Sequence, residues 1–576
     1  MQCFKGKGGL QMKRRMVALV MSGVCAASLL AGCGSSGTAN TSTSTAAPTT
    51  DTSQEAASEA GTTSVEADAA STAEDITTGT DDKTITVSCQ TGVGQQESWE
   101  AVAKAYEEKH PDVKVDVDLK AAEGYDQWVQ TAFSTKDPKA DIVNINLALS
   151  MANGKSINYN DYIDNDSPYS DGTWGEQFDL SQQGENSIGV FNSLNLMSVQ
   201  VLWLYNKDIF DEVGVEAPTT WDELVDVCKK ISDAGYQPIA MAGNYDSFYS
   251  GQMGWLSQIY ADQTTRSMVE KNRAQEGDYD YDPDIDANWK YDPTDPWNDD
   301  SDKVTQNPVR AFANVKNGVY RGDTQGMKDV WTNFAEVFPT YAGGDAFFGT
   351  DGNGAKTLFY QGKAAMIVDG GWGIVNFMND MKALDAGKEI EDSNGDAIQN
   401  VKKFTLGTFN MPSMEGDPFE AKARTIEVSN GFLGCISKDQ AHDDLVVDFL
   451  MYYSSKEGQT VAVNALLDAG GTVNGPSLVY GVTYPDEIND AFAECSFIGN
   501  CQKNFNNLLA RGIGESAETF RDFYQYSYDF LTGGINIDEW AADHQKNIED
   551  HLESAMSEKG VGESDLANPQ NEPTGE

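Results

Sequence analysis

The chain is poor in histidine, in positive charge and in usable cysteine, and each shortage closes a class of function. Only 4 His stand among 576 residues, and His110, His442, His544 and His551 have no zinc-type spacing. Lys and Arg number 40 against 90 Asp and Glu, a net charge of -50. Such a surface repels nucleic acid and anionic headgroups, so neither is an expected partner. G-x-S-x-G and the P-loop pattern are both missing. Gly92-Val93-Gly94 follows a strand pattern, but Glu97 stands where a dinucleotide fingerprint needs its third glycine. The run Asp392-Ser393-Asn394-Gly395-Asp396 has Ala397 where a calcium loop needs glycine, so a polar turn is expected. No cofactor, no metal and no catalytic residue is assigned.

Long apolar runs are scarce as well. The stretch 16–30 is broken by Ser22, Gly23 and Ser28 and falls short of the ~20 residues of a bilayer span. Lys13, Arg14 and Arg15 precede it and small residues follow, the layout of an export signal; Met12 would serve as its start equally well. Leu30-Ala31-Gly32-Cys33 resembles the cleavage motif of bacterial lipoproteins. That resemblance implies a signal peptide over 1–32 and acylation of Cys33 by diacylglycerol and a palmitate-like chain. Two or more chains anchor stably at the cell membrane, here facing the extracellular side. Of 8 cysteines, Cys3 and Cys25 leave with the signal and Cys33 is the anchor. The remaining Cys89, Cys228, Cys435, Cys495 and Cys501 are odd in number, which argues against a disulfide scaffold. Cys495 and Cys501 either close a small loop or are buried thiols.

Residues 33–82 are rich in Ser, Thr and Ala, acidic, and free of Lys and Arg until the folded part begins. They cannot bury enough apolar surface to fold and read as a disordered tether. The rest is larger than one core usually grows, so two lobes are expected. Thr84-Ile85-Thr86-Val87-Ser88 alternates as a strand, and Trp99, Val102, Ala103 and Tyr106 fall at helical spacing. Val113, Val115, Val117 and Leu119 then alternate again, completing a βαβ unit with a parallel sheet. A helix over 125–134 and a strand over 141–147 follow. Farther on, Thr220-Trp221-Asp222-Glu223 is a capping box that starts a helix. Residues 276–302 are Asp-rich with several Tyr and Trp, an inserted surface excursion or lid. A frayed, disordered tail is expected over 557–576.

Three stretches carry a resemblance to a known family. They are Leu204-Tyr205-Asn206-Lys207-Asp208-Ile209-Phe210 with Pro218-Thr219-Thr220-Trp221-Asp222-Glu223-Leu224, then Phe359-Tyr360-Gln361-Gly362-Lys363-Ala364-Ala365-Met366 with Gly371-Trp372, and Gly431 through Ile436 with Gly470-Gly471-Thr472. In these the chain resembles the family 1 extracellular solute-binding proteins, carbohydrate-binding subunits of ABC importers. The likeness runs from Lys83 to about Met556. It departs at Ala140, where the family usually has Pro, and at the extra 276–302 segment. The resemblance implies an α/β, two-lobed periplasmic-binding-protein-like (type II) fold whose hinge strands cross between lobes. Mapped here, lobe 1 takes 83–199 and 370–438, and lobe 2 takes 200–369 and 439–556. It also implies a monomer that hands a sugar to ABC permease subunits powered by a cytoplasmic ATPase.

Sugars show hydroxyls at the ring edge and C–H groups on the faces, so a site needs flat apolar plates beside acceptors and donors. Trp372 is the first candidate plate, turned out by Gly370-Gly371. Gln96 and Glu97 follow the first strand, where open α/β sheets bind ligands. Asn146 lies just past the strand of 141–147, and Glu427 and Asn430 precede another. Tyr245, Phe248 and Trp255 cluster in an aromatic-rich loop, with at least one expected to face the cleft. Trp99, Trp221 and Trp540 sit on helical apolar stripes and are assigned to the core. The rival functions are a secreted glycoside hydrolase, which needs two positioned carboxylates, and a binder of a charged ligand such as a peptide or polyamine.

Overall fold

The computed structural model of the chain describes residues 83–122, 124–145, 154–183, 190–300, 303–419, 421–493, 498–502, 510–513 and 516–575. The export signal, Cys33, the tether, Asn146 and Cys495 lie outside them. Nine strands are β1 (Thr84–Val87), β2 (Lys114–Val117), β3 (Ile142–Asn144), β4 (Met197–Asn206), β5 (Gln237–Ala240), β6 (Ala364–Gly370), β7 (Leu406–Phe409), β8 (Glu427–Asn430) and β9 (Leu433–Cys435).

They form two sheets. In the first the order is β2-β1-β3-β9, with β1 parallel to β2 and β3 and only β9 antiparallel. The helix Gln95–Lys109 makes the crossover from β1 to β2, as the alternation of Val113 and Val115 predicts. Strand periodicity divides the core: Ile142 joins Trp99, Val102 and Tyr106 on one face, while Val143 joins Tyr125, Val129 and Phe133 on the other. In the second sheet the order is β5-β6-β4-β7. Val201 and Trp203 of β4 face one core, Leu202 and Leu204 the opposite one. The Thr220 capping box forms, with Thr220 N–H donating to Glu223 at 3.2 Å and Glu223 N–H to Thr220 at 3.3 Å. Trp99, Trp221 and Trp540 are buried.

The two sheets are tied where the chain passes from strands of one to strands of the other. Met197–Gln200 of β4 pair with β8, and the remainder of β4 pairs with β6 and β7 in the second sheet. Three residues beyond β8, β9 pairs with β3 in the first sheet. A third crossing runs near Ser477, which bridges Met197. Gly475 allows it: a Cβ there would stand 1.8 Å from the Ser198 carbonyl oxygen.

The crossings fall at other places than the sequence division put them. Residues 370–438 were assigned to lobe 1, yet β7 and the helix Trp372–Asp385 pack with Leu202, Leu204 and Ile367 of the second sheet. Residues 439–556 were assigned to lobe 2, yet the helices Gln440–Tyr453 and Lys456–Asp468 cover the first sheet through Val446, Phe449, Leu450 and Ala462. Gly370-Gly371 turns the chain back over its own sheet instead of across.

The acidic excursion is bolted down. Arg424 is fully buried and donates to Asp262 at 2.8 and 2.9 Å and to Asp299 of the excursion at 2.5 and 2.7 Å. Asp286 accepts from Thr305 N–H at 2.8 Å, and Asp278 pairs with Arg310 at 2.7 Å. The tail is ordered too, where fraying was expected. Asp565 accepts from the N–H groups of Gly562, Thr574 and Gly575 at 2.8–3.0 Å, which draw its carboxyl down to about 2. Asp392 accepts from Asn394 and Asp396 N–H, so that run is a polar turn. Cys89, Cys228, Cys435 and Cys501 are buried free thiols. Among the described residues no helix is long and apolar enough to cross a membrane.

Candidate functional site

The parallel strands β5 and β6 end side by side, and the chain leaves both through loops at one edge of the second sheet. That edge is where α/β sheets gather ligands. After β6, the helix Trp372–Asp385 begins at once. A Cβ on Gly370 would lie 2.2 Å from the Trp372 ring, so glycine there lets the indole fold over the strand end. Gly371 N–H donates to Gln200 O at 2.8 Å, and a Cβ on it would meet Asn474 O at 2.9 Å. Trp372 is therefore rooted on two of the segments that join the sheets.

After β5, the region read as an aromatic loop forms two helices, Tyr245–Ser250 and Gln252–Thr265. The second is buried nearly all round, which erases the amphipathic signal that would have revealed it. Gln252 locks the two strand exits together: it donates to Val368 O at 2.6 Å and accepts from Ala242 N–H at 2.7 Å. Trp255 lies edge-to-face with Trp372, ring centroids 6.3 Å apart at 73°. Trp255 is 9% exposed and Trp372 half-buried, so one indole backs and the other presents a surface. Asp369, at the end of β6, has its carboxyl pushed up to about 6 by burial, against hydrogen bonds from Gly370 N–H and Trp372 and the charge of Lys356.

The other candidates divide. Tyr245 is half-exposed at the same sheet edge, stacked on Tyr249 at 6.1 Å. Phe248 is 1% exposed and wedged against Phe523 and Tyr524, a core residue with no surface to offer. Glu427 is buried within β8 and accepts from Ser198 Oγ at 2.7 Å, bracing the crossing strands. Asn430 pairs through its backbone with Met197. On the first sheet, Gln96 and Glu97 occupy the first turn of Gln95–Lys109; Gln96 donates to Glu100 at 2.7 Å and Glu97 is exposed. This helix start also touches a crossing segment, since a Cβ on Gly94 would lie 2.6 Å from Leu466 O and 3.2 Å from Gly471 N.

Three participants were not foreseen. Asp369 and Gln252 hold Trp372 and its neighbours, and Asn144 ties the first sheet's edge to the crossing by accepting from Gln90 N–H and donating to Gly431 O, both at 2.8 Å. The Asp before Gly370-Gly371 was a readable signal for the first. Each of the others has one partner more than a hundred residues away, Val368 for Gln252 and Gly431 for Asn144.

A family model described as bacterial extracellular solute-binding protein matches residues 92–460. Among solved structures, the chain is similar to a family 1 extracellular solute-binding protein from Bifidobacterium longum subsp. infantis. The identity is 16%, 82% of this chain and 100% of that one are covered, and the TM-score is 0.50. It is likewise similar to the apo form of RafE from Streptococcus pneumoniae, at 15% identity, 83% and 100% coverage and a TM-score of 0.50. Both likenesses concern the fold, a two-lobed α/β arrangement. The match to the family model spans well over half of the molecule, and the chain belongs to the bacterial extracellular solute-binding protein family.

Proposed function

We propose that the protein is the lipid-anchored, substrate-capturing subunit of an ABC importer and that its solute is a neutral sugar or oligosaccharide. The observation that carries this reading is the Trp372 indole, half-exposed, backed edge-on by Trp255 and rooted on the crossing segments. A sugar face stacks on such a plate, while its hydroxyls donate to acceptors such as the Glu97 carboxylate and exchange hydrogen bonds with amides such as Gln96 on the facing lobe. A ligand that touches both lobes only when they close favours the closed state by its difference in affinity. The membrane permease, driven by its cytoplasmic ATPase, then recognises that state in a monomer held at the outer face of the cell membrane through Cys33. The ligand is bound and released without chemical change.

Calorimetry of the purified chain against mono- and oligosaccharides tests this. Saturable binding with the sugar recovered intact supports it, and cleavage products would put a glycoside hydrolase in its place. Affinity that collapses on adding salt would mark a charged ligand, because only ionic contacts are strongly screened. For the anchor, Cys33→Ser is expected to release the protein from the membrane fraction; retention would sink that part.

A further inference from the structure

Beyond Trp372 the aromatic rings do not stop at the strand ends. Tyr249 stacks on Tyr245 at 6.1 Å, Tyr245 meets Tyr524 at 5.8 Å, Tyr524 meets Tyr528 at 6.2 Å, and Tyr528 meets Phe348 at 4.5 Å. Four of the five are half-buried, and Tyr528 is 36% exposed. The row is assembled from three distant stretches at one edge of the second sheet. The helix Tyr245–Ser250 follows β5, and the helix Ala517–Leu531 packs on it through Phe523 and Tyr524 against Phe248. The turn Gly344–Gly349 is drawn in by Gly243, whose N–H donates to Thr350 O at 3.1 Å. β5, which leads into the helix carrying Tyr245 and Tyr249, is the sheet's outer strand, and β6, which leads to Trp372, is its neighbour.

Tyr524 and Phe348 border the core and are only partly enclosed by it. The core-facing stripe of Ala517–Leu531 is already supplied by Phe523 and Tyr526, which pack against Trp331 and Trp540. Tyr524 and Tyr528, four residues apart, form a second stripe at the flank. A connected band of half-exposed rings on a monomeric domain marks a binding surface. Its chemistry selects the occupant. Asp246, Asp345 and Asp522 stand exposed beside these rings in sequence, which disfavours anionic lipid or polymer. Flat rings bearing hydroxyls and flanked by carboxylate acceptors suit stacked, uncharged, polyhydroxylated units.

We infer that Tyr249, Tyr245, Tyr524, Tyr528 and Phe348 form an outer platform that holds the distal units of a long neutral oligosaccharide whose near end is seated at Trp372. This rests on the sugar reading of the Trp372 site. The experiment is calorimetry of the full chain with a disaccharide and with progressively longer members of the same series. The wild type, Trp372→Ala and Tyr524→Ala/Tyr528→Ala are compared, with circular dichroism to check the fold and Tyr528→Phe as a ring-conserving control. The double variant is expected to lose about tenfold in affinity for the longest member and nothing for the disaccharide. Tyr528→Phe, which keeps the ring and loses only the hydroxyl, should lose far less affinity for the longest member than the double variant, and Trp372→Ala should weaken both lengths. Equal losses for both lengths in the double variant, or no gain with length in the wild type, overturn the platform while leaving the Trp372 site intact. Failure of any member to bind the wild type overturns both. Concentration-dependent dimers in sedimentation that the double variant abolishes would assign the row to a second copy of the chain and overturn it as well.

Discussion

The edges of the two sheets that carry the candidate residues are built from opposite materials. The first sheet ends in Gly92, Gly94, Gln96, Glu97 and Asn144, a glycine- and amide-rich wall in which backbone partners place Asn144 and the Glu100 side chain holds Gln96. The second ends in Trp372, Trp255 and Tyr245, rings supported by other rings. The difference follows from what each must do. A plate is useful only if it does not tilt, so it needs a rigid, well-packed backing. Hydrogen-bonding groups can be carried by short turns near the crossing.

The backing of the aromatic wall is where the comparison breaks most easily. Asp262 sits on the helix that carries Trp255, and burial alone would raise its carboxyl, but the Arg266 and Arg424 guanidiniums outweigh that and hold it low. Arg424→Met takes the buried guanidinium away from Asp299 and removes one of the two that face Asp262. Urea unfolding should show a loss of about 3–5 kcal/mol; a loss near zero would mean that the clamp does not support this wall. Next in size, Trp372→Ala is expected to weaken sugar binding by about tenfold or more at unchanged melting temperature. Unchanged affinity by calorimetry would remove Trp372 from the site. Gln96→Ala, on the polar wall, should cost only about threefold, one hydrogen bond among several. A loss larger than that of Trp372→Ala would reverse the assignment of the two walls.

The smallest effect is a titration. Asp369 is raised in the folded protein to about 6, so the fold holds this proton more tightly than the unfolded chain does. Its contribution to stability is therefore greatest at low pH and declines as pH rises from the ordinary carboxylate range through about 6. Because Asp369 lies three residues before Trp372 at the same strand end, tryptophan emission should change with a midpoint near 6, and Asp369→Asn should abolish that change. A midpoint that persists in the variant would place the titrating group elsewhere.

Much of this was legible along the chain. The Thr84 to Val117 βαβ unit, the Thr220 capping box and the Gly370-Gly371-Trp372 turn are each written in a dozen neighbouring residues, and local sterics and hydrogen bonding suffice to read them. The helix Gln252–Thr265 was not legible, since a helix buried on every side has no polar face to give a period. Phe248 and Glu427 were misplaced for a related reason. Residue type shows that a side chain prefers burial or hydrogen bonding, but not which neighbour satisfies it, and their partners Tyr524 and Ser198 lie 276 and 229 residues away. The excursion at 276–302 looked loose because its acids outnumber its bases. The counter-charges came from Arg310 and Arg424 outside it.

By itself the sequence determined the βαβ unit, the Thr220 helix start and the glycine turn before Trp372, because these rest on short-range periodicity, capping and turn chemistry, while its length and family resemblance implied the two-lobed α/β class. Only the tertiary structure decided where the chain crosses between sheets, that Trp255 backs Trp372, and which acids are clamped. Those outcomes depend on long-range pairing, in which a residue's partner is set by the packing of whole elements and leaves no mark on its neighbours in the chain.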